Sequence, residues 1–344
     1  MSDRHGDYLW DRGGTPDSEL QRFESLLGKL AQPQPPPPLN FDVRIAPPPR
    51  AWMTLVSIAA SLTLVSGLVM AGWWLSRQHE EGFAVTRVAG TPRVGRTPVT
   101  DGSELRVGGW LETPEDARAT VDIGDIGRVD LEPNGRLGLT RVAPGDYRMH
   151  LTRGTMHALI WAPPGQFTVA TPSSTAIDLG CAYSLTVGDD GDGLVRVTSG
   201  WVGFEYAGRE SFIPEGALCR TRRGRGPGTP HYDDTTERFR AALDVVDFGD
   251  LPLQREALTV VLDDARQRDA LSLWHLLARV EPSERDRVYT RLAALVPPPA
   301  DVTRDGIREG RQDMRDAWWN QLGLDTASWW RTWKQQWRDK GDGR

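Results

Sequence analysis

An uncharged apolar run, Ala51 to Leu75, bracketed by Arg50 and Arg77, constrains this chain more than any other feature. At about 1.5 Å per helical residue, such a run crosses a hydrocarbon core of roughly 30 Å with some tilt. Core helices alternate apolar and polar faces, whereas this run is apolar all round apart from Ser and Thr, whose hydroxyls bond back to the helix. Trp52, Trp73 and Trp74 stand at its ends, where amphipathic rings favour the headgroup level. The run predicts a single transmembrane helix over 51–75. A cleaved signal peptide ending near Val69-Met70-Ala71 is the competing reading, disfavoured by the long preceding segment and by the length of the run.

The rest of the composition fits a multi-domain membrane protein. The residues after the run suffice for one or two domains with real cores, and those before it are too few to fold unaided. A net charge of -6 over 344 residues does not mark a nucleic-acid binder. The two cysteines, Cys181 and Cys219, have neither the number for a disulfide scaffold nor the spacing of a zinc site.

Residues 1–32 form an N-terminal tail with one amphipathic helix. Thr15-Pro16 followed by Asp17, Ser18 and Glu19 is a helix start, and Leu20, Phe23, Leu26, Leu27 and Leu30 then recur at helical spacing. A lone apolar stripe is either a docking surface or a weakly ordered tail, because short isolated helices are marginal in water. Over 33–50, Pro33, Pro35 to Pro38 and Pro47 to Pro49 predict a stiff polyproline spacer.

From 83 to 225 the pattern changes to short alternating runs punctuated by Gly, Pro and Asp, such as Ala119-Thr120-Val121-Asp122-Ile123 and Gln166-Phe167-Thr168-Val169. This spacing predicts an all-β sandwich, barrel or β-helix-like stack. The glycine-rich stretch 187–193 joins two clear strands, 183–187 and 194–198, as a hairpin.

Four blocks in this region carry a resemblance. They are Gly165-Gln166-Phe167-Thr168-Val169-Ala170-Thr171-Pro172, Asp178-Leu179-Gly180-Cys181-Ala182-Tyr183-Ser184-Leu185, Val195-Arg196-Val197-Thr198-Ser199-Gly200-Trp201-Val202 and Ile213-Pro214-Glu215-Gly216. In this order they resemble the FecR family, the extracytoplasmic domain of bacterial transmembrane regulators of sigma factors. Cys181, Tyr183 and Leu185 stand where the family pattern has Thr, Phe and Val, and the tail lacks the His-x3-Cys-x2-Cys signature of zinc-type anti-sigma factors. The resemblance implies an all-β FecR-like domain outside the cytoplasm.

A C-terminal α-helical domain is expected over 235–344. Leu258, Val261, Leu262 and Ala265 repeat at helical spacing, as do Leu273, Leu276, Leu277 and Val280, and Val288, Leu292 and Leu295 continue a third stripe until Pro297 to Pro299 stop it. Farther on, Trp329, Trp330, Trp333 and Trp337 share one helical face opposite Arg331, Lys334 and Arg338. Such a helix, like Trp318 and Trp319 before it, caps the bundle as core or lies in a membrane interface, and core is the favoured reading.

Chemistry is sparse. His5, His79, His150, His157, His231 and His275 form no pair at catalytic or metal-ligand spacing, and no GxSxG, P-loop, HExxH or dinucleotide fingerprint occurs. Asp189, Asp190 and Asp192 lack the spacing of a calcium loop and read as a polar hairpin tip. Arg220, Arg222, Arg223 and Arg225 form a basic knot beside the last strand, read as a solvated loop ahead of an anionic lipid or glycan contact. No enzyme activity, cofactor or metal is expected.

The leading expectation is a single-pass regulator in a bacterial inner membrane, with a cytoplasmic N-terminus and periplasmic C-terminal domains. It passes a signal from an extracytoplasmic protein or envelope component to a cytoplasmic protein, a sigma factor by the resemblance, through binding alone. The alternative is a membrane-tethered envelope scaffold with an inert tail. Charge around the run, with Arg44 and Arg50 before it and Arg77, Arg87 and Arg93 after it, mildly favours the opposite orientation; the resemblance overrides it. Two further expectations follow: the tail binds its partner through Leu20, Phe23, Leu27 and Leu30, and Cys181 bridges Cys219 unless both are separate buried thiols.

Overall fold

The computed structural model describes residues 17–29 and 82–324. These fall in two units, 1–69 and 70–344, taken separately below.

In the first unit, helix α1 spans Ser18–Gly28. The Asp17 carboxylate accepts from the backbone N–H groups of Glu19 at 2.8 Å and Leu20 at 3.0 Å, so the start signal operates at Asp17. No residue of α1 is buried.

In the second unit, alternating apolar residues build two sheets that meet in one strand. The first sheet runs β1 (Gly82–Ala89), β6 (Arg118–Asp122), β7 (Gly127–Leu131), β9 (Asp146–Ile160), β12 (Cys181–Val187), β13 (Gly193–Ser199) and β16 (Ala217–Arg222), each antiparallel to the next. Short strands β17 (Gly226–Pro227) and β18 (His231–Tyr232) pair with β16. The second sheet runs β3 (Thr97–Pro98), β2 (Arg93–Val94), β5 (Trp110–Glu112), β8 (Arg136–Ala143), β9, β10 (Phe167–Ala170), β11 (Thr175–Asp178), β14 (Trp201–Tyr206) and β15 (Arg209–Pro214). β4 (Glu104–Arg106) pairs with the start of β1.

β9 belongs to both sheets. Its first half pairs with β8 and β10, and from Gly154 onward it pairs with β12. Gly154 sits at φ +90°, and a Cβ there would run into the Gly135 backbone. Only glycine makes that bend at low cost.

The chain follows the same course twice. β5, β6, β7, β8 and the two halves of β9 visit the second, first, first, second, second and first sheets; β11 to β16 repeat that order. The second pass replaces the Gly154 bend with the turn after Pro214. Of the four sequence blocks, the first lies on β10 and the turn into β11 and the other three on β11 to β15 and their turns: Gly200, at φ +72°, packs against the Gly180 carbonyl, and the Thr171 hydroxyl donates to the Ser174 carbonyl at 2.8 Å.

Among the described residues six α-helices follow: α2 (Glu237–Phe248), α3 (Leu251–Asp264), α4 (Ala270–Leu276), α5 (Arg285–Leu295), α6 (Arg304–Arg308) and α7 (Gln312–Trp319). Thr236 caps α2, its hydroxyl accepting from the Phe239 N–H at 3.1 Å. The expected stripes are buried at Leu258, Val261, Leu262 and Ala265, at Leu273, Leu276 and Leu277, and at Val288 and Leu292. Strands and helices share one hydrophobic cluster. Phe212 of β15 meets Trp319 at 5.9 Å between ring centroids, and Trp319 meets Trp274 at 4.6 Å. Trp318 and Trp319 are therefore core; Trp329 to Trp337 lie outside the described residues.

The expected membrane protein with a transmembrane helix is corrected. Among the described residues no helix is long and apolar enough to cross a membrane. The longest, α3, has 14 residues, or about 21 Å, against a core of roughly 30 Å. The run 51–75 and the linker 33–50 themselves lie outside the described residues.

Candidate functional site

Two surfaces stand out, one in each unit. On α1, Phe23, Leu26 and Leu27 are 64%, 54% and 62% exposed. They follow i, i+3, i+4 spacing and share a face. Leu20 is half-buried, and Leu30 lies outside the described residues.

The second surface is a groove of about 490 Å³ between the outer face of the first sheet and α2. The core side of that sheet takes Val195 of β13 and Cys219 of β16, so their neighbours point outward. Cross-strand register sets Leu194 opposite Arg220 and Arg196 opposite Leu218 on this outer face. Leu194, Leu218 and Leu243 give the groove apolar walls, while Arg196, Arg220 and Arg240 bring guanidinium groups to it. His231 of β18 lines it from beneath and is only 7% exposed. Its buried Nδ1 makes no hydrogen bond. Burial holds the imidazole below its usual pKa, opposed by the Thr229 carbonyl; Arg240 and Arg220 lower it further.

The acidic side chains of the groove are largely engaged. Asp244 is held by Arg222 at 2.7 Å through Oδ2, while its buried Oδ1 makes no hydrogen bond. Asp247 lies 2.6 Å from Arg209 and 3.5 Å from Arg279. Arg196 pairs with Asp233 at 3.3 Å. Glu237 also lines the groove, in the first turn of α2.

The basic knot thus divides. Arg222 and Arg225 tie β16 and its turn to α2, Arg225 donating to the carbonyls of Phe248 at 3.2 Å and Asp247 at 3.4 Å. Arg220 alone of the four lines the groove. Residue order hid Arg196, His231 and Arg240 as its companions; the available signal was the outward phase of 194/196 and 218/220 on adjoining strands.

The expected disulfide is corrected. Cys181 and Cys219 are free and buried. The Cys181 thiol donates to Asp178 Oδ2 at 2.8 Å and the Cys219 thiol to the Gly228 carbonyl at 3.1 Å. Cys219 lies opposite Val195, and Val195 opposite Leu185, four residues along β12 from Cys181. Two strand spacings and that offset put the Cα atoms roughly 16 Å apart, against the roughly 7 Å a bridge tolerates.

The other histidines among the described residues, His150, His157 and His275, make contacts within the fold. His275 accepts the Phe212 N–H at Nε2, 3.0 Å away, which fixes the proton on Nδ1, 2.8 Å from the Leu271 carbonyl. His150 stacks on Trp110 at 5.5 Å, and His157 lies 3.4 Å from Glu132. Among the described residues no group of three or more His, Cys, Asp and Glu is placed to hold a metal. At the hairpin tip, Asp190 and Asp192 accept from the backbone N–H groups of Asp192 and Arg223.

Among solved structures, two crystal structures of a "putative anti-sigma factor" from Parabacteroides distasonis are similar to this chain. One is 14% identical, with a match covering 39% of this chain and 63% of that one at a TM-score of 0.33. The other is 12% identical, covering 46% and 64% at a TM-score of 0.27. Both matches span less than two-thirds of those chains. No family model matches the sequence, and no curated protein does.

Proposed function

We propose that this chain is a regulatory protein of anti-sigma-factor type, which holds a sigma factor through the apolar face of α1 and does so by binding, without chemistry. The observation that carries this reading is the exposure of Phe23, Leu26 and Leu27 side by side on one capped helix. An exposed apolar stripe at this spacing is the pattern that docks into a hydrophobic groove of a partner. The order of the four FecR-like blocks supports the regulatory half of the reading, and the neighbours similar in structure bear the same description.

The test is the affinity of the full chain for the sigma factors of its own organism, measured by calorimetry with and without Phe23→Ala plus Leu27→Ala. Each side chain, if desolvated in a groove, contributes on the order of 1.5–3 kcal/mol, so the double variant weakens binding more than tenfold. Charge reversal at Arg22, beside the stripe, changes it much less. A sigma factor that binds both chains equally, or a complete absence of sigma-factor binding, overturns the proposal.

A further inference from the structure

We infer that the groove between the first sheet and α2 is a binding site for a small organic oxyanion: an apolar body ending in a phosphate-type or carboxylate group. Its volume, about 490 Å³, falls within the range of small-molecule pockets. Leu194, Leu218 and Leu243 offer the apolar body a surface. The charged end is set by three guanidinium groups, those of Arg196, Arg220 and Arg240.

Two of these guanidinium groups pair with no carboxylate among the described residues. Arg196 has Asp233. Among the described residues, neither Arg220 nor Arg240 lies within ion-pairing distance of a carboxylate, since Asp244 and Asp247 are taken by Arg222, Arg209 and Arg279. Among the described residues Glu237 is the one acidic side chain of the groove with no cation paired to it. Both free arginines lie close enough to His231 to disfavour its charged form. Two residues that line the groove carry a buried polar atom without a hydrogen bond, His231 at Nδ1 and Asp244 at Oδ1.

An oxyanion answers the unpaired charge of Arg220 and Arg240. The guanidinium fork matches the paired oxygens of a phosphonate or carboxylate.

The inference concerns residues 194–248 only, so it stands or falls apart from the reading of α1. The test is calorimetric titration of the full chain with phenylphosphonate, benzoate, inorganic phosphate and benzyl alcohol. Saturable binding of phenylphosphonate or of benzoate below about 10 mM is expected, and the tighter of the two names the oxyanion. Inorganic phosphate and benzyl alcohol should each bind at least about tenfold more weakly than that probe. Arg220→Gln with Arg240→Gln, both exposed positions, should weaken the probe at least about tenfold with the thermal melt unchanged, while Arg106→Gln on β4 should leave it alone. Three results overturn the inference: no saturable binding of either aromatic anion, equal binding of benzyl alcohol or inorganic phosphate, or a double variant that binds like the native chain.

Discussion

Arg279 and Asp247 form a buried ion pair, 3.5 Å apart, in which a residue just after α4 meets one near the end of α2 beneath the edge of β15. Arg279 also donates to the Glu210 carbonyl and the Ser211 hydroxyl at 2.6 Å each, and to the Thr229 hydroxyl at 2.8 Å. Asp247 accepts from the Thr229 N–H and hydroxyl and from Arg209. Burial pulls the Arg279 guanidinium down to about 10, and Asp247 works against that, so it stays charged at neutral pH. The network joins the strands to the helices through largely buried polar groups, Arg209 alone of the three charged residues being partly exposed.

Removing one side of such a network leaves uncompensated buried polar groups. Arg279→Ala should destabilise the chain by about 3–5 kcal/mol, measured by chemical denaturation. A loss below about 1 kcal/mol would mean that water replaces the guanidinium and that the network does not hold the helices.

The thiols offer a second check. Burial raises both pKa values, that of Cys219 to about 12 and that of Cys181 further, with Asp178 adding to the latter. Neither thiol should react with a thiol-specific reagent in the native chain at pH 8, and both should react on denaturation. A reductant should leave the melting temperature unchanged; a fall would indicate a bridge after all.

Asp178 predicts a pH dependence. Burial pushes its carboxyl up from 3.8 to about 7, against the hydrogen bonds it accepts from Cys181 and Gly180. Between pH 4 and 7 the native state therefore holds a proton that the unfolded chain has released. Stability contributed by this group is greatest below pH 4, falls as pH rises to about 7, and is level above it. The span is on the order of 4 kcal/mol, from a shift of about three units. Asp178→Asn should flatten this slope in denaturation curves across that range; an unchanged slope assigns it elsewhere.

Gly154 predicts a backbone effect. Gly154→Ala places a Cβ on the Gly135 backbone at a positive φ, and should cost several kcal/mol by thermal or chemical denaturation. Gly208, at φ +80° with open space around its Cα, should cost only about 1 kcal/mol on the same change. Equal effects at the two sites would show that φ alone, and not the crossing of β9, matters.

Much of the local structure was legible in the residues. Period-two alternation marked β6, β12 and β13, the glycine-rich tip marked their hairpin, and the Leu258 and Leu273 stripes marked core faces of α3 and α4, because each signal is carried by neighbours in the chain. The exposed face of α1 was legible for the same reason, since a single helix with a capped start needs no tertiary contact to define its stripe. Pairing was not. That β9 serves two sheets depends on a bend at Gly154 against a strand turn nearly 20 residues earlier, and that Cys181 and Cys219 stay apart depends on register through β13. The groove is likewise a product of tertiary structure. Arg196, Arg220, His231 and Arg240 are spread over more than 40 positions, and only sheet register and the packing of α2 bring them to one cavity, because side chains distant in sequence meet through backbone pairing that no local pattern encodes.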